Sequence, residues 1–95
     1  MKSVFLLSAL AVLSGVAFSQ NADSAKFYYQ KALVEKDAKR YQVAAKYLDK
    51  AIDFNPKYTS AYMEAAYVNL AMHRTDPARI YFNKLYDLDT NNITA

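Results

Sequence analysis

Along most of this chain the apolar side chains recur at steps of three and four. Tyr28 and Ala32 lead to Glu35 or Lys36 in this way, and Ala44, Tyr47, Leu48, Ala51 and Ile52 form a second such set. Steps of three and four place side chains on one face of a helix, whereas a half-buried strand would alternate. Each stretch is long enough for an amphipathic helix of about a dozen residues. Gly is absent after Gly15, which removes most routes to strands and tight hairpins.

The pattern is also written twice. Residues 25–58 laid over residues 59–92 pair Tyr28 with Tyr62, Ala32 with Ala66, Val34 with Val68 and Arg40 with Arg74. The identities continue with Ala44 and Ala78, Tyr47 and Tyr81, Lys50 and Lys84, and Asp53 and Asp87. Eight identities in 34 positions exceed the two or three that similar composition would give, and self-similarity at this period marks a solenoid of stacked units. Leu48 with Phe82, Phe54 with Leu88 and Asn55 with Asp89 keep the character only.

Breaks fall between the helices. Asp23 or Ser24 is placed to cap the first by accepting from its free amides, and Pro56 ends the second because it has no amide to donate. Thr59 or Ser60 is expected to cap the third, and Asp76 followed by Pro77 to open the fourth with Pro at the first helical position. The division expected is a segment of 1–19, a linker and helix cap at 20–24, repeats at 25–58 and 59–92, and the start of a third repeat at 93–95. Ile93, Thr94 and Ala95 stand in register with Thr59, Ser60 and Ala61. Two units without a polar cap lead one to expect a fragment of a longer array, or else a short protein that covers its open end by self-association.

These residues resemble the tetratricopeptide repeat, whose 34 residues form helix, turn and helix. Its early aromatic matches Tyr28 and Tyr62, and its small residue four positions on matches Ala32 and Ala66. The Ala of its second helix matches Ala44 and Ala78, the aromatic after it Leu48 and Phe82, and its closing Pro Pro56. Departures are Lys31 at an apolar position, Lys39 and His73 where the family favours Gly, Leu85 for a small residue and Thr90 for Pro. The fold implied is all-α, a right-handed superhelix of antiparallel helix-turn-helix hairpins, with the second helices outermost.

Ahead of the repeats, "MKSVFLLSALAVLSGVAFSQ" sets Lys2 before an apolar run from Val4 to Phe18 and then small residues, the layout of a secretory signal peptide. As a helix that run spans roughly 22 Å against a hydrocarbon core of about 30 Å, so a cleaved signal is the expectation rather than an anchor. Cuts before Gln20 and after Ala17 both fit, and the localisation expected is periplasmic or extracellular. The chain has no Cys, so a lipoprotein attachment is excluded and stability must come from packing.

Charge and candidate chemistry narrow the function. The formal charge of +3 falls to +2 once Lys2 leaves with the signal, too little to argue for nucleic acid. Residues 25–58 hold eight Lys and Arg against four acids, and Lys46 and Lys50, one turn apart, fit a solvated outer face. His73 is the single histidine and sits at a turn, where a metal site would need further ligands. "DLDTNNI" from Asp87 imitates half a calcium loop but has Asn92 where that loop needs Gly. No constellation for catalysis, metal or cofactor is present, so neither an enzyme nor a small-molecule substrate is expected.

In the resembled family the first helices line a concave groove that selects the ligand. Carried over, the groove residues are Lys26, Tyr29, Gln30 and Leu33, then Met63, Glu64 and Tyr67, with Lys36, Ser60 and Leu70 beside them. Leu33 and Glu64 stand where a grip on a C-terminal carboxylate would want amides or cations, which speaks against that ligand. The function expected is an exported scaffold holding a peptide or partner protein, as part of a bacterial cell-envelope assembly. The alternative is a structural or oligomerisation segment at the N-terminus of a larger envelope protein, without a free ligand, stacking on a downstream region such as further repeats or on a second copy.

Overall fold

The computed structural model describes residues 21–94, with side chains as far as Thr90. The expected signal segment at 1–19 lies outside the described residues. Four helices carry almost the whole described chain: α1 (21–37), α2 (Tyr41–Phe54), α3 (Thr59–Ala71) and α4 (Thr75–Thr94). Among the described residues there is no strand. The fold is an all-α, tetratricopeptide-like arrangement of helical hairpins.

Both hairpin turns are built by the same device. After α1 the Lys39 amide donates to the Lys36 carbonyl at 2.9 Å and the Arg40 amide to the Glu35 carbonyl at 2.9 Å. After α3 the His73 amide donates to the Leu70 carbonyl at 3.0 Å and the Arg74 amide to the Asn69 carbonyl at 2.8 Å. Such paired bonds are the Schellman motif, which satisfies the orphan carbonyls of a helix end and needs a left-handed residue. Lys39 and His73 supply it at φ 63° and 60°. In α1 the Glu35 carboxylate also pairs with the Arg40 guanidinium, which holds the carboxyl below its ordinary value.

The core is built mainly from alanine. Ala61, Ala65 and Val68 of α3 join Ala32, Ala44, Leu48 and Ala51 of the first hairpin in one buried cluster. Leu48 and Val68 are the largest fully buried side chains among the described residues. Aromatic rings close its sides at repeat-equivalent places: Tyr28 lies on Tyr47 with centroids 6.0 Å apart, and Tyr62 on Tyr81 at 6.3 Å. Tyr62 is buried and donates its hydroxyl to the Pro56 carbonyl at 2.8 Å. Asn69, the one buried polar residue among those described, donates to the Ala65 carbonyl at 2.7 Å. Phe82, the repeat partner of buried Leu48, stays 37% exposed.

The helix ends differ from expectation in four places. Residues 21–24 are already helical, because nothing there breaks a helix and Ala25 just beyond is buried; Asp23 and Ser24 therefore lie within α1 instead of a linker and cap. Tyr58, and neither Thr59 nor Ser60, holds the cap position of α3, with no side-chain cap bond, since its ring packs on Tyr29 at 5.0 Å and fixes where the chain turns in. Pro77 is the third residue of α4, still inside the first turn where a missing amide leaves no gap.

The largest difference is at the end of α4. Asn55 is extended ahead of Pro56, which stops α2 at Phe54. In register with Pro56 stands Thr90, which keeps its amide and clashes with nothing, so α4 runs on through Thr94. Ile93 and Thr94 thus continue α4 rather than begin a third repeat. The calcium-like stretch from Asp87 is accordingly helical and not a loop.

Holding a residue with a side chain in the left-handed region costs about 1–2 kcal/mol, part of which glycine returns through a freer unfolded state. Lys39→Gly and His73→Gly should therefore each raise stability by roughly 0.5–1 kcal/mol in urea denaturation. Unchanged midpoints would contradict the turn geometry.

Candidate interaction surface

The groove positions inherit their places from the helix period, and their partners from the packing of α1 beside α3. On α1, Lys26 and Gln30 are exposed, while Tyr29 and Leu33 are half-buried. On α3, Ser60, Met63, Tyr67 and Leu70 are exposed and Glu64 is half-buried. Two of these are already engaged within the chain. Tyr29 rests on the Tyr58 ring, and Glu64 accepts from Lys36 Nζ at 2.6 Å, joining α3 to α1. That bond to Glu64 holds the Lys36 ammonium above its ordinary value against the opposing effect of burial.

What remains open is an apolar row of Met63, Tyr67 and Leu70 with Lys26 and Gln30 across from it. At one end a cleft of about 370 Å³ lies between the close of α1, the start of α2 and α3, lined by Lys36, Lys39, Tyr41, Tyr67, Val68 and Ala71, with Asp37 beside them. Tyr67 only touches Phe82 edge-on at 6.0 Å and stays half exposed.

Several residues of this surface were not foreseen from the sequence. Tyr41 and Asp37 lie next to a turn whose form only the structure shows. Tyr58 carried a signal, as a large side chain immediately before a helix, where such residues pack back and fix the entry of the chain. Tyr81 was visible as the repeat of Tyr47, but its hydroxyl donates to Asp49 Oδ1 on α2 at 2.5 Å, a partner 32 residues away. Burial first, then this bond, pushes the Tyr81 hydroxyl well above its ordinary value.

On the outer side, Lys31 Nζ lies 5.2 Å from the Phe27 ring centroid and 5.7 Å from that of Tyr47, while Lys50 Nζ lies 5.2 Å from that of Tyr28. Lys46 is exposed beside them, so this face is solvated with its cations resting on rings. His73 is exposed on its turn. Among the described residues no group of three or more His, Asp or Glu is placed to hold a metal ion, and no helix is long and apolar enough to cross a membrane.

The decisive comparison is with family models. A model described as tetratricopeptide repeat matches residues 20–58. The matched stretch spans the first hairpin, α1 and α2. Tetratricopeptide repeats are typically non-catalytic modules that mediate contacts between proteins. The second hairpin copies the geometry of the first in its Schellman turn and its paired tyrosines. No curated protein and no solved structure matches the chain.

The Lys36 to Glu64 pair ties α1 to α3, and its partly exposed setting keeps its worth small. A double-mutant cycle with Lys36→Met and Glu64→Gln should give a coupling of roughly 0.5–1 kcal/mol near neutral pH. Because the Lys36 value is raised from 10.5, the coupling is complete below that pH and is lost as pH rises through the folded-state value. The loss of Tyr81 protons above its ordinary value of 10.0 also lowers stability there, but it cancels within the cycle. A coupling unchanged at pH 12 would contradict the assignment.

Proposed function

We propose that the protein is an exported interaction scaffold whose α1 and α3 face holds a peptide or a partner protein within a bacterial cell-envelope assembly. The observation that carries the binding part is the row of Met63, Tyr67 and Leu70. They are 41%, 50% and 43% exposed on a helix whose opposite side is buried in the core. Aromatic and Met side chains at an open surface offer contact area at small entropic cost, and interface cores are rich in them. With Glu64 and Tyr29 already engaged, the ligand meets chiefly this row, together with Gln30 and Lys26 and the cleft at Tyr41. The mixed lining suits an extended or helical segment with apolar anchors and polar flanks.

Export rests on the order of Lys2, the apolar run and the small residues Ala17 and Ser19. A second reading, a structural or oligomerisation segment without a free ligand, draws on the uncovered outer face of the second hairpin.

A photo-reactive side chain at position 63 or 67 should yield adducts in the envelope fraction, whereas one at Ile80, equally apolar and 66% exposed on α4, should not. Met63→Ala with Tyr67→Ala should weaken capture of that partner by at least about tenfold, with Ile80→Ala neutral. The mature chain recovered there should begin at Phe18 or Gln20. Adducts equal at all three positions, or an intact Met1 chain confined to the cytosol, would contradict the reading.

A further inference from the structure

The face of the first hairpin that turns away from α3 mixes exposed apolar groups with lysines. On α1, Phe27, Lys31 and Val34 follow one another at steps of four and three, and on α2 Val43, Tyr47, Lys50 and Phe54 do the same. Contacts join the two rows into one surface. Lys31 Nζ lies over both Phe27 and Tyr47, Tyr28 stacks on both Tyr47 and Phe54, and Lys50 Nζ lies over Tyr28. Phe27, Val34, Val43 and Phe54 remain 52%, 63%, 40% and 38% exposed, and Lys31 and Lys50 are exposed among them with Lys46 at the rim.

The acids of this hairpin are engaged elsewhere. Asp49 accepts from the Tyr81 hydroxyl of α4. Burial first, and then the charge of Asp53, raises the Tyr62 hydroxyl above its ordinary value, so Asp53 also stands on the side of the second hairpin. Glu35, four positions after Lys31, is held by Arg40. Among the described residues no carboxylate forms an ion pair with Lys31, Lys46 or Lys50, and Asp23, one turn before Phe27, is an acid at the margin of the face.

The internal repeat shows that this face is no seat for a helix. The residues equivalent to Phe27, Lys31 and Val34 in the second hairpin are Ala61, Ala65 and Val68, each at most 1% exposed where α3 closes on the first hairpin. Helix approach at that place depends on alanine. A ring and a lysine there hold a helix axis off, and two copies meeting through this face would set Lys31 and Lys50 against like charge. A soft surface of negative charge meets neither objection. Lysine stems are long enough to carry their ammonium groups to lipid headgroups, while rings and aliphatic groups settle at the acyl boundary beneath.

We infer that the face of α1 and α2 centred on Phe27, Lys31, Tyr47 and Lys50 docks the protein on the surface of an anionic lipid bilayer. No helix among the described residues is long and apolar enough to cross a membrane, and this contact lies along the surface. Its attraction grows with each lysine near the headgroups and falls away within a Debye length. The face shares no residue with the row of Met63, Tyr67 and Leu70, so the inference stands or falls apart from the proposed function.

The chain has no Trp, so Phe27→Trp places a single reporter on this face. With the full chain and vesicles of phosphatidylcholine containing about one-third phosphatidylglycerol, its emission should shift to the blue. Tyr86→Trp, a reporter at a 70% exposed position on α4 of the other hairpin, should not shift. In the Phe27→Trp chain, Lys31→Gln with Lys50→Gln should weaken partitioning by at least about tenfold, and Lys31→Arg with Lys50→Arg should preserve it. Salt near 1 M, which screens charge within about 3 Å, should release the protein; this arm leaves both lysines in place and decides the matter even where the glutamine variant unfolds. No shift with anionic vesicles up to about 1 mM lipid would overturn the inference. An equal shift on pure phosphatidylcholine would do so as well, since apolar groups alone would then make the contact. The same shift with polyglutamate and none with vesicles would make the partner an acidic polypeptide, and would also overturn it.

Discussion

The close approach of helices across alanine is the constraint on which the rest of the structure depends. Ala32, Ala44, Ala51, Ala61, Ala65, Ala66 and Ala78 are each at most 1% exposed. Side chains this small bury little apolar area of their own, so their contribution is distance: they bring backbones near enough for the few larger groups to touch. Leu48 and Val68 then fill the centre, and the tyrosines and Phe54 close its edges, Tyr28 stacking on Phe54 at 5.8 Å. An enlarged residue at any of these alanines acts on two helices at once. Stability in such a stack is a sum over neighbours, and α3, which touches the first hairpin on one side and α4 on the other, is the shared member.

Much of this was legible in the chain because the repeat carries its own control. Positions alike at an interval of 34 residues suggested one purpose served twice, and the paired alanines, the paired tyrosines and the two turns did so, whereas Val34 is 63% exposed and its partner Val68 is buried. The departures were informative as well. Lys39 and His73, standing where glycine is favoured, prove to be the left-handed residues of the two turns. Thr90 in place of proline lets α4 continue where α2 stops.

What escaped reading depends on contacts that periodicity does not encode. Lys36 finds Glu64 across 28 residues and Tyr81 finds Asp49 across 32, and each bond needs the hairpins already packed. Polar residues near a boundary suggested caps at Thr59 and Ser60, yet the ring of Tyr58 set the entry to α3 through Tyr29. Among the expected groove positions, helical spacing gave the order along α1 and α3 only. It did not separate Tyr29 and Glu64, which are held by neighbours, from Met63, Tyr67 and Leu70, which remain open. The proposed function rests on that division, since a surface consumed by internal packing fixes the shape of the fold and only the remainder is open to a ligand.

The central claim is that both hairpins share one alanine-lined core through α3. Amide hydrogen exchange of an Ala65→Leu variant tests it most directly. The account predicts that the slowest amides of α2 and α3 lose protection together, by about 1–3 kcal/mol, as overpacking forces the two hairpins apart. Protection lost in α3 alone, with α2 unchanged, would show that the hairpins stand independently and would contradict it.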